Sequence, residues 1–261
     1  MTVLTGATLA EVGIDGAALK PTEVDVERAH DLDVGTLAID FEGSEHVPAP
    51  GTLRELADAF DLRVTVPVRA DGFDPRGDDS HRRSLPDAVS EVLVAGNGAY
   101  LDDHERKRAV APRLSDAVAS AADPWVGTEG IERLALAAGG AQFELLSGRT
   151  RASVRGLRAA GFEGEIAVYA PTVLTADDAV VLDAVGAYAA RRRPVRERLP
   201  EDAPTDSEAT GTAREILRAA CREYALVGDP ESVAERVEEL RDVGVDHVVG
   251  YPARGLDPVL Q

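Results

Sequence analysis

A lysine in a chain that otherwise relies on arginine is the first residue to weigh for chemistry. Among 28 basic residues only Lys20 and Lys107 are lysines. Lys20 follows the run GAAL, which reads as the end of a first strand. A guanidinium stays charged at any ordinary pH, whereas an amine at a lowered pKa moves a proton or forms an imine. The alternative is a solvated lysine that caps the strand or pairs with Asp40. Lys107, between Arg106 and Arg108, reads as solvated. Other polar groups recur where apolar runs end: Asp40 and Glu42, Arg69 and Asp71, Asn97, Thr128 and Glu129, Glu144 and Ser147, Tyr169 and Thr172, Tyr251 and Arg254. The turn GTEG at 127–130 precedes a helix whose free N–H groups would favour an anion such as a phosphate. Glu129 works against that, because its carboxylate would repel a phosphate or cap the helix itself.

Several chemistries find no support. His30, His46, His81, His104 and His247 lack the spacings of a zinc site, so no metal is expected. His247, alternating with Asp246, reads as a packed or hydrogen-bonded core histidine. A G-x-S-x-G nucleophile motif is absent. The single cysteine, Cys221, can form neither an internal disulfide nor a cysteine-based zinc site. Within a long polar loop, 69–84, the acidic stretch 71–79 could bind a cation, but it lacks EF-hand spacing and reads as a solvated lid.

The elements that must position these groups alternate regularly. Strands are expected at 14–19, 36–41, 63–68, 92–95, 125–128, 142–146, 166–170 and 245–249. Helices are expected at about 22–31, 52–60, 103–120, 131–138, 151–160, 176–192 with Thr175 as N-cap, and 213–224. A last helix opens with Asp229 as N-cap and Pro230 in the first turn. Val233, Val237 and Leu240 form its apolar stripe, Glu235, Arg236, Glu238 and Glu239 face water, and Gly244 caps its end. About eight βα steps in 261 residues point to a (β/α)8 TIM barrel, one domain over 1–261, with a polar surface excursion at 191–212. In such barrels the site lies at the C-terminal ends of the strands, where the candidate residues fall.

Composition sets the setting. The chain is 44 % hydrophobic and carries a formal charge of −19, with 47 acidic residues against 28 basic ones. Such a surface is a poor partner for nucleic acid or anionic membranes. Acid-rich, arginine-over-lysine surfaces resemble those of salt-in halophiles, where molar salt shortens the Debye length to about 3 Å and screens self-repulsion. No run reaches the length of a membrane helix, and the first residues lack a basic, then apolar leader, so a cytoplasmic location is expected.

The closing stretch LVGDPESVAERVEELRDVGVDHVVGYP, 226–252, is similar to the end of proteins in the luciferase-like superfamily of flavin- or deazaflavin-dependent oxidoreductases. WVGTEGIERLALAAGGAQFELL, 125–146, and DVGTLAID, 33–40, resemble further parts of that family, as does an excursion between the seventh and eighth strands. The resemblance covers about half of the chain. It implies an oxidoreductase that uses coenzyme F420 or FMN on a small organic substrate, often as a homodimer. Lys20, Asp40, Arg69 and Tyr169 would surround the ring. Asn97, Thr128, Glu129, Gly130 and Tyr251 would bind the rest of the cofactor. The chain departs from the family at Glu129 and at Gly140, Ala141 and Gln142, where a D-G signature is expected. A barrel lyase or aldolase with Lys20 as imine-forming amine, and a cofactor-free binding or scaffold descendant, therefore stand beside the oxidoreductase.

Overall fold

The computed structural model describes residues 7–127 and 130–260. Nine parallel strands carry the fold: β1 (Gly16–Leu19), β2 (Thr36–Ile39), β3 (Asp61–Pro67), β4 (Ser90–Val94), β5 (Trp125–Val126), β6 (Ala141–Leu145), β7 (Ile166–Leu174), β8 (Leu226–Gly228) and β9 (His247–Pro252). Pairing runs from β1 through β7 in order, β7 pairs with β9, and β9 returns to β1. Eight strands thus close a parallel barrel. The ninth, β8, lies outside the ring on the far end of β7, with Thr172, Val173 and Leu174 facing Leu226, Val227 and Gly228. It is a strand the sequence pattern does not suggest, and it extends β7 four residues beyond the expected 166–170.

The helices are α1 (Pro50–Ala59), α2 (Ser80–Arg83), α3 (Val110–Ser120), α4 (Glu132–Ala138), α5 (Thr150–Ala159), α6 (Asp178–Ala190), α7 (Arg193–Arg196), α8 (Gly211–Tyr224) and α9 (Pro230–Arg241). α9 forms as its sequence requires. Asp229 accepts the Ser232 N–H at 2.8 Å, Pro230 occupies the first turn, and Val233, Val237 and Leu240 are buried. Gly244, at φ +104°, closes the helix: its N–H reaches Arg241 O, and the Val245 N–H reaches Leu240 O. This paired bond pattern is one a left-handed glycine favours. Arg236 does not face water as expected. It is half-buried and donates to Ala225 O at 2.7 Å, and burial lowers its pKa.

Five other expectations need correction. The first helix is only a 3-10 segment, Val26–Asp31. The helix expected from 103 begins at Val110, because the buried Glu105 carboxylate instead holds the Asp71 and Asp102 N–H groups, each at 2.7 Å. The N-cap of α6 is Asp177, not Thr175; its carboxylate accepts from Ala179 and Val180 N–H. The acidic loop 71–79 is not a solvated lid. Phe73 and Asp74 are buried in it, and Asp74 pairs with Arg108 and Arg113 at 3.3 and 2.9 Å. The tract 191–212 contains α7 and buries Val195 and Ala209 in a core shared with α6 and α8. Gly186 of α6 leaves it room, since a Cβ there would stand 2.2 Å from Thr205 O.

Strand alternation divides the core. Ala17, Leu19, Leu37, Ile39, Leu62 and Val64 point outward to the helices. Ala18, Ala38, Val92, Trp125, Phe143, Ala167, Tyr169 and Val249 share the cluster that fills the barrel. Alanines on β1, β2 and β7 make room for the rings opposite them. Two carboxylates stitch the seam where the last strand enters. Asp15 accepts from Val248 N–H at 2.7 Å and from Arg241 at 2.8 Å. Asp246 accepts from Ile166 N–H at 2.8 Å and from Arg158 at 2.5 Å. Among the described residues no helix is long and apolar enough to cross a membrane.

Candidate active site at the barrel mouth

Parallel strands bring their C-terminal ends to one face, and four of the residues singled out by sequence meet there. Asp40 follows β2 directly, its N–H bonded to Leu19 O of β1. Tyr169 of β7 donates its hydroxyl to Asp40 Oδ2 at 3.1 Å. The Tyr169 ring stacks on that of Tyr251 from β9, with centroids 6.3 Å apart and planes 10° from parallel. Lys20, just past β1, sets its ammonium 4.3 Å from the centroid of the Tyr251 ring. Its ion-pair partner is Glu23 at 3.0 Å, not Asp40 as the sequence allowed. Tyr251 in turn hydrogen-bonds Glu23 through its hydroxyl.

The aromatic residues form a column that runs down the barrel. Tyr169 takes Phe143 edge-on at 6.1 Å, and Phe143 stacks on Trp125 at 5.5 Å. At the far end Arg63 lies 4.1 Å over Trp125, and His247 packs against the same ring at 5.5 Å. Each end of the column is therefore capped by a cation, Lys20 above and Arg63 below. His247 is also 3.4 Å from Glu165.

The electrostatics of the mouth follow from enclosure. Burial pushes the Asp40 carboxyl up to about 6, against the pull of the Tyr169 hydrogen bond and the Lys20 charge, while Glu42 and Glu23 push it further up. Burial also raises the phenols of Tyr169 and Tyr251, the first helped by Asp40 and the second by Glu23. Glu42 is buried and accepts from the N–H and hydroxyl of Thr22. Tyr100, 44 % exposed, reaches Glu42 at 3.4 Å and meets Phe41 edge-on, so it stands at the rim.

The other candidates lie elsewhere. Arg69 spends its guanidinium on three backbone carbonyls, Ala95, Gly96 and Arg106, at 2.6, 2.9 and 2.9 Å. It clamps the loops after β3 and β4. Asn97 accepts from Ala99 N–H at 2.9 Å in an exposed turn. Gly130 has its N–H bonded to Glu132 at 2.9 Å, and Thr128 and Glu129 fall outside the described residues. Glu144, whose pKa is raised by burial and by the charge of Glu132, adds a second carboxylate on that side. The Gly130 N–H is therefore not free for a phosphate.

Glu23, Phe143, Trp125 and Tyr100 are members of this constellation that strand-end reasoning misses. One signal for them exists: in a chain only 4 % aromatic, Trp125, Phe143, Tyr169 and Tyr251 all sit on expected strands or within two residues of one.

The fold is a closed parallel (β/α)8 barrel. The chain superposes on an F420-dependent secondary alcohol dehydrogenase, solved with an F420–acetone adduct, with a TM-score of 0.61 at 11 % identity over 95 % of this chain and 96 % of that one. A coenzyme F420-dependent tetrahydromethanopterin reductase from Methanopyrus kandleri gives 0.61 at 15 % identity over 94 % and 95 %. Apo-MsnO8 gives 0.54 at 14 % identity over 92 % and 94 %. No curated protein matches the chain in sequence. Residues 9–259 match the family of unknown function DUF7388, and the chain belongs to that family.

Proposed function

We propose that the protein is an oxidoreductase of the luciferase-like kind, acting on a small organic substrate held over the barrel mouth. The observation that carries this reading is the Asp40–Tyr169 pair: a carboxyl whose pKa is about 6, hydrogen-bonded to a phenol, at the strand ends where this barrel class builds its sites. Ionised above that pH, Asp40 accepts a proton from a substrate O–H or N–H, and Tyr169 keeps the carboxylate oriented. Tyr251 and Tyr169 supply the wall against which a flat ring would rest.

Coenzyme F420 is the proposed cofactor because two of the structural neighbours use it; nothing comparable supports FMN. Bound there, it would supply the hydride acceptor. The Gly130 N–H would not be open to its anionic end, because Glu132 accepts it. The test is a titration of purified protein with F420, followed by the cofactor's fluorescence in high salt. Saturable binding, with Asp40→Asn preserving binding but lowering turnover at least about 100-fold, is the expected result. Absence of binding of both F420 and FMN overturns the reading in favour of a cofactor-free binding protein. Lys20 as an imine-forming amine has less support, because Glu23 and the Tyr251 ring hold its ammonium.

A further inference from the structure

We infer that the barrel mouth selects a cationic substrate, a small organic amine or quaternary ammonium. The inference rests on reading the mouth as the ligand site and is independent of the cofactor. Glu23, Asp40 and Glu42 converge there closely enough that their charges act together on the phenols of Tyr100 and Tyr251. Among the described residues, Lys20 is a cation whose charge acts on Asp40 against these carboxylates. Arg69, past the end of β3, is turned to backbone carbonyls. The donors to Glu42 are an amide and two hydroxyls, which satisfy its lone pairs without cancelling its charge.

The geometry of Lys20 shows what the seat holds. Its ammonium rests 4.3 Å over the Tyr251 ring with a Glu23 oxygen at 3.0 Å. A carboxylate beside an aromatic face is the combination that binds alkylammonium groups, because the ring quadrupole and the carboxylate attract the same charge. The side chains of Lys20 and Glu23 remain 27 % and 46 % exposed, so the seat opens to solvent. Lys20 thus acts as a resident stand-in, and an incoming ammonium takes its place over the ring beside Glu23, where its charge acts on Asp40 as that of Lys20 does. An anionic substrate meets three like charges at the same point.

The test is a pair of isosteric probes at fixed ionic strength: choline and its neutral carbon analogue 3,3-dimethylbutan-1-ol, titrated while the tyrosine signals are followed by NMR. Choline is expected to bind at least about tenfold more tightly, consistent with a cation–π contact reinforced by a carboxylate. Lys20→Met, which empties the seat, is expected to tighten choline binding by about tenfold, a gain that damage to the fold would not produce. Glu23→Gln is expected to weaken it while leaving the neutral probe unchanged. Equal affinity for the two probes, binding of neither, or weaker choline binding by Lys20→Met overturns the inference. F420 binding without choline binding overturns this inference alone, and choline binding without F420 binding overturns only the proposed cofactor chemistry.

Discussion

Replacing Asp40 with asparagine should stabilise the protein at neutral pH. The native carboxyl has its pKa raised from 3.8 to about 6, so the folded state holds this proton more tightly than the unfolded chain does. The stability that Asp40 contributes is then fully present below about pH 4 and is lost as pH rises through about 6. A rise of roughly two units at about 1.4 kcal/mol each gives about 3 kcal/mol, an upper limit because part of Asp40 is open to solvent. Asparagine cannot ionise, yet its Oδ1 can still accept from the Tyr169 hydroxyl. Asp40→Asn should therefore exceed wild type by up to about 3 kcal/mol at pH 8, with the gap closing toward pH 4. Urea unfolding in high salt at a series of pH values measures it. A gap that does not change with pH, or that widens on acidification, refutes the assignment of a raised pKa to this carboxyl.

Two further outcomes are expected. Tyr169→Phe removes the donor that holds Asp40 down, so the Asp40 pKa should climb by about one unit above its native value, read by carbon NMR of the carboxyl; a fall would contradict the hydrogen bond. Gly127→Ala would place a Cβ 2.3 Å from Phe143 O at φ +148°. It should cost about 3 kcal/mol or more by thermal denaturation, whereas Gly130→Ala, with open space around its Cβ, should cost about 1 kcal/mol for its φ alone.

Much of this architecture was legible from residue pattern, and the misses have physical causes. All eight barrel strands begin within two residues of their expected starts; the last begins two residues late, because Val245 and Asp246 are used to close α9 and to hold Arg158. The cap of α9 at Asp229 and its glycine at 244 were readable because capping is local. β8 was not, since three residues carry no period and only β7 gives them a partner. The buried Phe73 and Asp74 were hidden in an apparently solvated loop because their burial depends on Arg108 and Arg113, more than thirty residues away. At the mouth, strand-end position found Lys20, Asp40, Glu42, Tyr169 and Tyr251, whereas Glu23 escaped because it lies in a turn rather than at a strand end. Arg69 was read as a ring contact on position alone; direction decides otherwise, and its guanidinium turns to carbonyls.

The two seam carboxylates bear on how the chain is assembled. Asp15 reaches Val248 across 233 residues of sequence, and Asp246 reaches Ile166 across 80, so ring closure is among the most non-local events the chain must complete. Until β9 arrives, β1 and β7 present open edges, the kind of surface that recruits other chains. At the seam, two of the carboxylates that give the molecule its charge of −19 become the fasteners that end the exposure.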